Sequence, residues 1–150
     1  MLNKTSETAL RGLLHVAQSG SDAPVSPTAI AERVGASPSY MAKISTLLVK
    51  ADILKTFRGM YGGVTLSRSP GEITLLEIVE ACQGRILADY CQFHPDLKQV
   101  CAYHEAMNQL HSAVIETLGA WSLGDILARP APDAALCDQV SCHMAVEHGN

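Results

Sequence analysis

Two serine-proline pairs, Ser26-Pro27 and Ser37-Pro38, constrain the fold of this chain more than any other feature. A serine side chain can cap the first turn of a helix, and proline is favoured at the first helical position. Each pair therefore predicts the start of a helix, and Gly35 predicts the end of the first one. The result is a short helix, a tight turn and a longer second helix, which is the arrangement of a helix-turn-helix.

A glycine-rich segment follows the second of these helices. Ile53 to Phe57 and Val64 to Leu66 are short strand candidates, and the residues 58–63 that join them read Arg-Gly-Met-Tyr-Gly-Gly. Three glycines permit backbone angles that other residues avoid, so the segment predicts a small β-hairpin. The predicted fold class is mainly α with a small β-hairpin wing, that is, a winged helix-turn-helix.

Helical patterns also lie on both sides of this region. Residues 4–18 predict a first amphipathic helix, and Thr74 with Glu77 forms a capping box that begins another helix ending near Gly84. From about Val100 to Leu118 a longer helix carries an apolar stripe too thin for a full core. Pairing with a second copy of the chain fits that stripe, so we expect a long dimerisation helix.

These patterns divide the chain into three parts. Residues 1–84 form the predicted winged helix-turn-helix DNA-binding domain, and residues 85–128 form a sensor loop and the dimerisation helix. Residues 129–150, which begin Arg-Pro-Ala-Pro, predict a flexible tail.

Charge is distributed unevenly along the 150 residues. Residues 1–68 contain eight Lys and Arg against four Asp and Glu, a net charge of +4, whereas the remainder has three against eleven, a net charge of −8. A basic front half favours association with a polyanion such as double-stranded DNA. The chain has neither an apolar run of membrane-spanning length nor a signal-peptide layout at its start, so we expect a cytoplasmic protein with no membrane partner.

No catalytic motif accompanies this pattern. The chain lacks a Gly-x-Ser-x-Gly elbow, a phosphate-binding glycine loop followed by lysine, and a His-Glu-x-x-His zinc motif. We therefore expect a protein that is not an enzyme.

The predicted second helix and hairpin supply the candidate DNA contacts. With Met41, Ile44 and Leu48 turned inward, the opposite face of the helix would meet base edges and phosphates, and the hairpin tip would touch phosphates or a minor groove. An alternative is that these polar residues only solvate a surface. The candidates are Ser39, Tyr40, Lys43 and Thr46 on the helix and Lys55, Arg58 and Tyr61 on the hairpin.

A cysteine and histidine pattern occupies the acidic half. Cys91-x2-His94 and Cys101-x2-His104 follow each other closely, and thiolate with imidazole suits zinc or iron. Two partly buried thiols beside surface histidines are the alternative. Cys82 lies among apolar helical residues and is interpreted as a small buried side chain.

At this point the sequence resembles the Rrf-two family of winged-helix regulators, which includes iron-sulfur cluster regulators and nitric-oxide-sensing repressors. The resemblance spans residues 1 to about 128. It implies a homodimer joined through the long helix, a roughly palindromic operator and, in many members, a bound cluster. The segments that carry it are Ala9-Leu10-Arg11, Ile30-Ala31-Glu32, Arg58-Gly59-x-x-Gly62-Gly63-x-x-Leu66, residues 73–79 and residues 122–127.

The resemblance also implies a ligand set, from which this chain departs. Cluster-binding members usually have three cysteines in the loop. The central one is absent here, and Asp96 and Leu97 lie where it would be expected. Some members use a Cys-x2-His ending and an acidic ligand from the partner subunit. The resulting hypothesis is a 2Fe-2S cluster held by Cys91, Cys101, His104 or His94, and Glu7 of the partner subunit.

Other interpretations stay open for the same residues. Glu7 can simply be a carboxylate favoured near a helix N-terminus. The segment can hold a single metal ion or none, and the switch can be oxidation of Cys91 and Cys101 to a disulfide. A module controlled by a protein partner, with weak DNA binding, is the third possibility.

Overall fold

The computed structural model describes residues 2–20, 23–86 and 100–130, together with positions 132, 136, 142 and 144. Most of the predicted tail, 129–150, lies outside these residues, as do Cys91 and His94. In the described part no helix is long and apolar enough to cross a membrane. The helices are α1 (Lys4–Gln18), α2 (Pro27–Val34), α3 (Pro38–Lys50), α4 (Leu75–Gln83), α5 (Ala102–Ala120) and α6 (Leu123–Ala128), and the strands are β1 (Leu54–Phe57) and β2 (Gly63–Leu66).

The predicted caps start the two helices of the helix-turn-helix. The Ser26 hydroxyl accepts a hydrogen bond from the backbone N–H of Ala29 at 3.1 Å, and the Ser37 hydroxyl accepts one from Tyr40 at 3.3 Å. Gly35 ends α2 in the left-handed conformation, with φ of 69°. Because each signal acts within one helical turn, the sequence was sufficient to predict α2, the turn and α3.

One apolar core lies beneath α1, α2, α3, α4 and the hairpin. Each helix contributes one apolar face, so the opposite faces of α2 and α3 stay in solvent. The buried side chains that form this core include Leu13, Ile30, Met41, Ile44, Ile53, Ile73, Ile78 and Leu123.

The hairpin is antiparallel and is attached to the domain at its base. Leu54 pairs with Leu66 and Phe57 with Gly63, in agreement with the predicted wing. Val25, in the loop before α2, exchanges two backbone hydrogen bonds of 2.9 Å with Val64. The wing is therefore held by backbone bonds to the helix-turn-helix as well as by its buried side chains.

The chain returns to this domain after α5. The N–H of Leu75 donates to the carbonyl of Trp121 at 2.9 Å, and that of Leu123 donates to Ile73 at 2.8 Å. The Leu123 side chain is fully buried in the main core. Helix α6 thus packs onto the predicted DNA-binding domain although the sequence places it in the 85–128 part.

Helix α5 is the longest described element and is sparsely packed. It begins at Ala102 and ends at Ala120, about two residues later at each end than predicted. Within the single chain only His104 and Val114 of this helix are buried, and Val114 packs with Val79 and Ile86 in a small second cluster. Most of the surface of α5 is therefore exposed.

Candidate nucleic-acid interface and sensor residues

The exposed face of α3 carries three of the four predicted recognition residues. Ser39, Lys43 and Thr46 are exposed, while Met41 and Ile44 face the core. A helix of this length with one free polar face can enter a major groove, where side chains reach base edges. These three residues keep the orientation that the sequence predicts.

Tyr40 differs from the sequence prediction of an outward side chain. It is half-buried against the core, and its hydroxyl lies 2.9 Å from the Thr5 hydroxyl of α1. The contact joins residues 35 positions apart in the chain. Tyr40 therefore ties the start of α1 to the start of α3, and it positions α3 rather than presenting a free ring.

Replacing Tyr40 by phenylalanine tests this positioning role. The change removes one hydroxyl and leaves the Thr5 hydroxyl without its partner, so we expect the free energy of unfolding to fall by about 1 kcal/mol. Urea denaturation followed by circular dichroism measures the loss. Thr46→Val is the matched control, because the Thr46 hydroxyl bonds only the carbonyl of Ala42 within α3 on an exposed face; equal losses for both variants would contradict the role.

The wing presents cations and a compact tip. Lys55, Arg58 and Tyr61 are all exposed, and the Lys55 ammonium lies 5.7 Å from the centre of the Phe57 ring. Arg58 directly precedes the turn at the tip. The three wing residues predicted from the sequence are thus available to a ligand.

Charge on this surface is almost entirely positive. Between residues 33 and 71 the chain has six Lys and Arg and a single acid, Asp52. Arg68 is one of the six, but its guanidinium is occupied by Glu77 at 2.8 Å and by the Glu72 carbonyl at 3.1 Å. Lys43 and Arg58, on two different elements, are the exposed cations best placed for phosphates.

The Glu77 carboxylate has a structural role beside this surface. Desolvation raises its pKa, but hydrogen bonds from the Thr74 backbone and from Arg68 outweigh that effect and hold the pKa below its usual value. Glu77 thus closes the predicted capping box of α4 and anchors Arg68. Arg68 accordingly belongs to the base of the wing.

The sensor candidates in the described residues differ in exposure. Cys101 is exposed at the N-cap of α5, whereas His104 is only 3% exposed and already takes part in another interaction. The two residues lie three positions apart, but in the single chain only Cys101 faces solvent. Glu7 is half-buried in the first turn of α1.

These residues fit a cluster only in part. Among the described residues no group of three or more His, Cys, Asp or Glu is gathered in a way that could hold a metal ion. The exposed thiol of Cys101 suits a ligand or a redox-active group, and the buried ring of His104 suits a structural role. Burial raises the pKa of the Cys82 thiol to about 11, so it stays protonated at neutral pH.

Sequence reasoning missed a polar contact between the start of α1 and the end of α4. The buried Ser6 hydroxyl bonds Gln83 at 3.0 Å and Asn3 at 3.1 Å, and the Asn3 N–H donates to Gln83 at 3.2 Å. The only sequence signal was Asn3 itself, a favoured N-cap residue that caps α1 here. The contact fixes α1 against the helix that leads towards residues 87–99.

Comparison with known proteins agrees with this geometry. The family model of Rrf2, described as an iron-dependent transcriptional regulator, matches residues 2–129. Protein rrf2 of Nitratidesulfovibrio vulgaris is 28% identical over 147 residues, covering 96% of this chain and 95% of that protein. The regulator IscR of Xenorhabdus nematophila is 29% identical over 121 residues, covering 79% and 74%.

Solved structures confirm the fold. CymR, the global cysteine regulator of B. subtilis, superposes with a TM-score of 0.71 at 25% identity, covering 85% of this chain and 96% of that one. T. potens IscR gives a TM-score of 0.68 at 24% identity, covering 90% and 95%. Both the predicted winged-helix fold and the predicted resemblance are confirmed: the chain belongs to the Rrf2 (Rrf-two) family of transcriptional regulators.

Proposed function

We propose that this chain is a homodimeric regulator that binds a double-stranded operator and responds to redox or iron-sulfur status through residues 85–128. The observation that carries the DNA-binding part is the basic surface formed by α3 and the wing, where a single acid, Asp52, accompanies four cations: Lys43, Lys50, Lys55 and Arg58. Lys43 and Arg58 position the protein on phosphates, while Ser39 and Thr46 meet base edges. Because an operator is part of the chromosomal DNA, we expect the protein to act in the cytoplasm.

The exposed apolar residues of α5 support the dimer. Tyr103 is 63% exposed, Leu110 is also exposed, and Met107 is half-buried in the single chain. Burying such side chains against a second copy is favourable, and a two-fold symmetric dimer matches a palindromic operator. Dimerisation through α5 would also place two copies of the Cys101 region at one interface.

Cys101 is the residue on which the sensing part of the proposal depends. We propose that it holds a 2Fe-2S cluster with Cys91, with His94 or His104, and with Glu7 of the partner subunit. A bound cluster would supply a one-electron redox change at this ligand set. Of the two histidines, the buried His104 needs a rearrangement in order to bind, so His94 is the better candidate.

The exposure of Cys101 equally favours a second candidate for the sensing mechanism, which is oxidation of the thiol. A two-electron oxidant such as a peroxide would join the accessible Cys101 thiol to the Cys91 thiol in a disulfide at the start of α5, with loss of both thiol protons and without any metal. Transcriptional regulation is common to both candidates, and only the signal differs.

An anaerobic purification separates these candidates. We expect a brown wild-type protein with about two iron and two acid-labile sulfide per chain, and loss of most of both in Cys101→Ser. Cys82→Ala is the matched control and should keep its iron, because its thiol is half-buried and protonated. A colourless wild type that forms a Cys91–Cys101 disulfide with diamide would reject the cluster and support the thiol switch.

A further inference from the structure

The wing ends in two large side chains that stand in solvent. Met60 is 91% exposed and Tyr61 is 87% exposed, more than any other large hydrophobic side chain in the described residues. A single exposed apolar residue is common on protein surfaces. Two adjacent ones at the end of a hairpin, in a domain that binds a polyanion, indicate a specific contact.

The backbone of the tip presents these side chains at a narrow end. The Gly62 N–H donates to the Gly59 carbonyl at 3.0 Å, so Met60 and Tyr61 occupy the two central positions of a tight turn. Gly59 has φ of 113°, and a Cβ on Gly62 would lie 2.5 Å from the Phe57 carbonyl oxygen. With glycine on both flanks, only Met60 and Tyr61 widen a tip that must enter a groove about 6 Å across.

Charge around the tip is complementary to a groove lined by phosphates. From residue 53 to residue 71 the chain has three Lys and Arg and no Asp or Glu. Lys55 and Arg58 are exposed behind the apolar tip. An apolar end with cations behind it matches the minor groove, where base edges lie at the floor and phosphates at the rim.

We propose that Met60 enters the operator minor groove and wedges between two adjacent base pairs. The inference rests on the proposed DNA-binding function. Methionine is unbranched and adaptable, and apolar side chains inserted in this way partly unstack a base step and bend the duplex towards the major groove. Tyr61 lies beside the wedge and contacts the sugar-phosphate wall.

The wedge gives Met60 a role in specificity. Pyrimidine-purine steps unstack more easily than others, so a wedge favours operators that place such a step under the wing. The protein would then discriminate at a position where it makes no hydrogen bond to a base. Met60 is therefore a specificity-determining residue as well as a contact.

A duplex selected by the full-length protein from random double-stranded DNA is the probe for this inference. Met60→Ala should lower affinity for it about tenfold for each protomer, and so about 100-fold for the dimer, because two buried side chains are lost. Met60→Leu keeps the volume and the apolar character and should bind nearly as well as wild type. Neither change alters charge, so the dependence of affinity on salt should stay unchanged.

The geometry of the bound DNA tests whether Met60 wedges between base pairs. At saturating protein, the wild type and Met60→Leu should bend the duplex in a circular-permutation assay and make a thymine under the wing reactive to permanganate. Met60→Ala should lose most of the bend. Lys43→Ala should bind more weakly and yet bend the DNA fully once saturated, because α3 holds the duplex without opening it.

The outcomes separate this inference from the proposed function. A wild-type protein that binds the selected duplex without bending it, or a Met60→Ala variant that bends it as wild type does, overturns the wedge alone. A protein that selects no duplex overturns the DNA-binding function and the wedge together. If the opened base step contains no thymine, permanganate cannot detect the opening, and the bend angle alone tests the wedge.

Discussion

The Lys43→Ala, Arg58→Ala double variant is expected to bind a selected operator about 10,000-fold more weakly than wild type at physiological salt, because each protomer of the proposed dimer loses two phosphate contacts. A hydrogen bond between a cationic side chain and a phosphate contributes about 1.5 to 3 kcal/mol, and a loss of about 1.4 kcal/mol lowers affinity tenfold. Lys43 lies on α3 and Arg58 on the wing. Because the two cations belong to separate elements, their losses should add.

The salt dependence of binding tests the physical reason for this loss. Removing two phosphate contacts from each protomer, four per dimer, should reduce the slope of log affinity against log salt by about 3.6. Arg85→Ala, Arg129→Ala is the matched control: it removes the same charge from exposed positions that lie outside α3 and the wing. An equal loss in the control would show that overall charge, and not this surface, governs binding.

The helix-turn-helix and the wing could be predicted from sequence because their signals are local. Ser26 and Ser37 each cap a backbone group three residues away, and Gly35 ends α2 within the same turn. The glycines of the hairpin permit the turn through their own backbone angles, at the positions where the chain reverses. None of these signals requires knowledge of what packs across the core.

Tyr40 and His104 show where such reasoning stops. Periodicity says which way a side chain leaves its own helix, but Tyr40 is held by a hydroxyl 35 residues earlier in the chain. His104 lies three positions after Cys101, yet one is buried and the other exposed. Which residues are buried depends on how the helices pack against one another. The spacing of residues within one helix does not predict that packing.

The short elements after α5 illustrate a different difficulty. A capping box of Ser122 and Asp125 begins α6, but this helix is only six residues long. Isolated helices of that length are unstable in water, so α6 depends on burial of Leu123 in the core formed by earlier residues. Helix α6 therefore could not be predicted without knowledge of the tertiary fold.

Replacing Gly63 by alanine is expected to lower the free energy of unfolding by about 2 to 3 kcal/mol, the usual cost of overfilling a packed site. A Cβ at this position would lie 2.5 Å from the Val25 carbonyl oxygen, 2.6 Å from its carbonyl carbon and 3.0 Å from the Ser26 nitrogen. All three are backbone atoms, so no side chain can rotate away. The clash separates β2 from the loop that pairs with it.

Gly71→Ala is the matched control for this experiment. A Cβ on Gly71 meets no heavy atom within 4 Å, and its φ lies outside the region that favours glycine. We expect that change to alter the free energy of unfolding by less than about 0.5 kcal/mol. Urea denaturation followed by circular dichroism compares the two, and equal stability would contradict the packing of β2 against Val25.

Operator binding adds a second constraint on Gly63→Ala. The clash displaces the wing, because the clashing atoms belong to the backbone of Val25 and Ser26, whereas none of them belongs to α3, which is buried through Met41 and Ile44. Binding should therefore lose what Arg58 and Met60 contribute and keep what α3 contributes, including the contact of Lys43. A variant that folds at low temperature and still requires Lys43 for its residual affinity would show that the wing and the recognition helix bind DNA as separable parts.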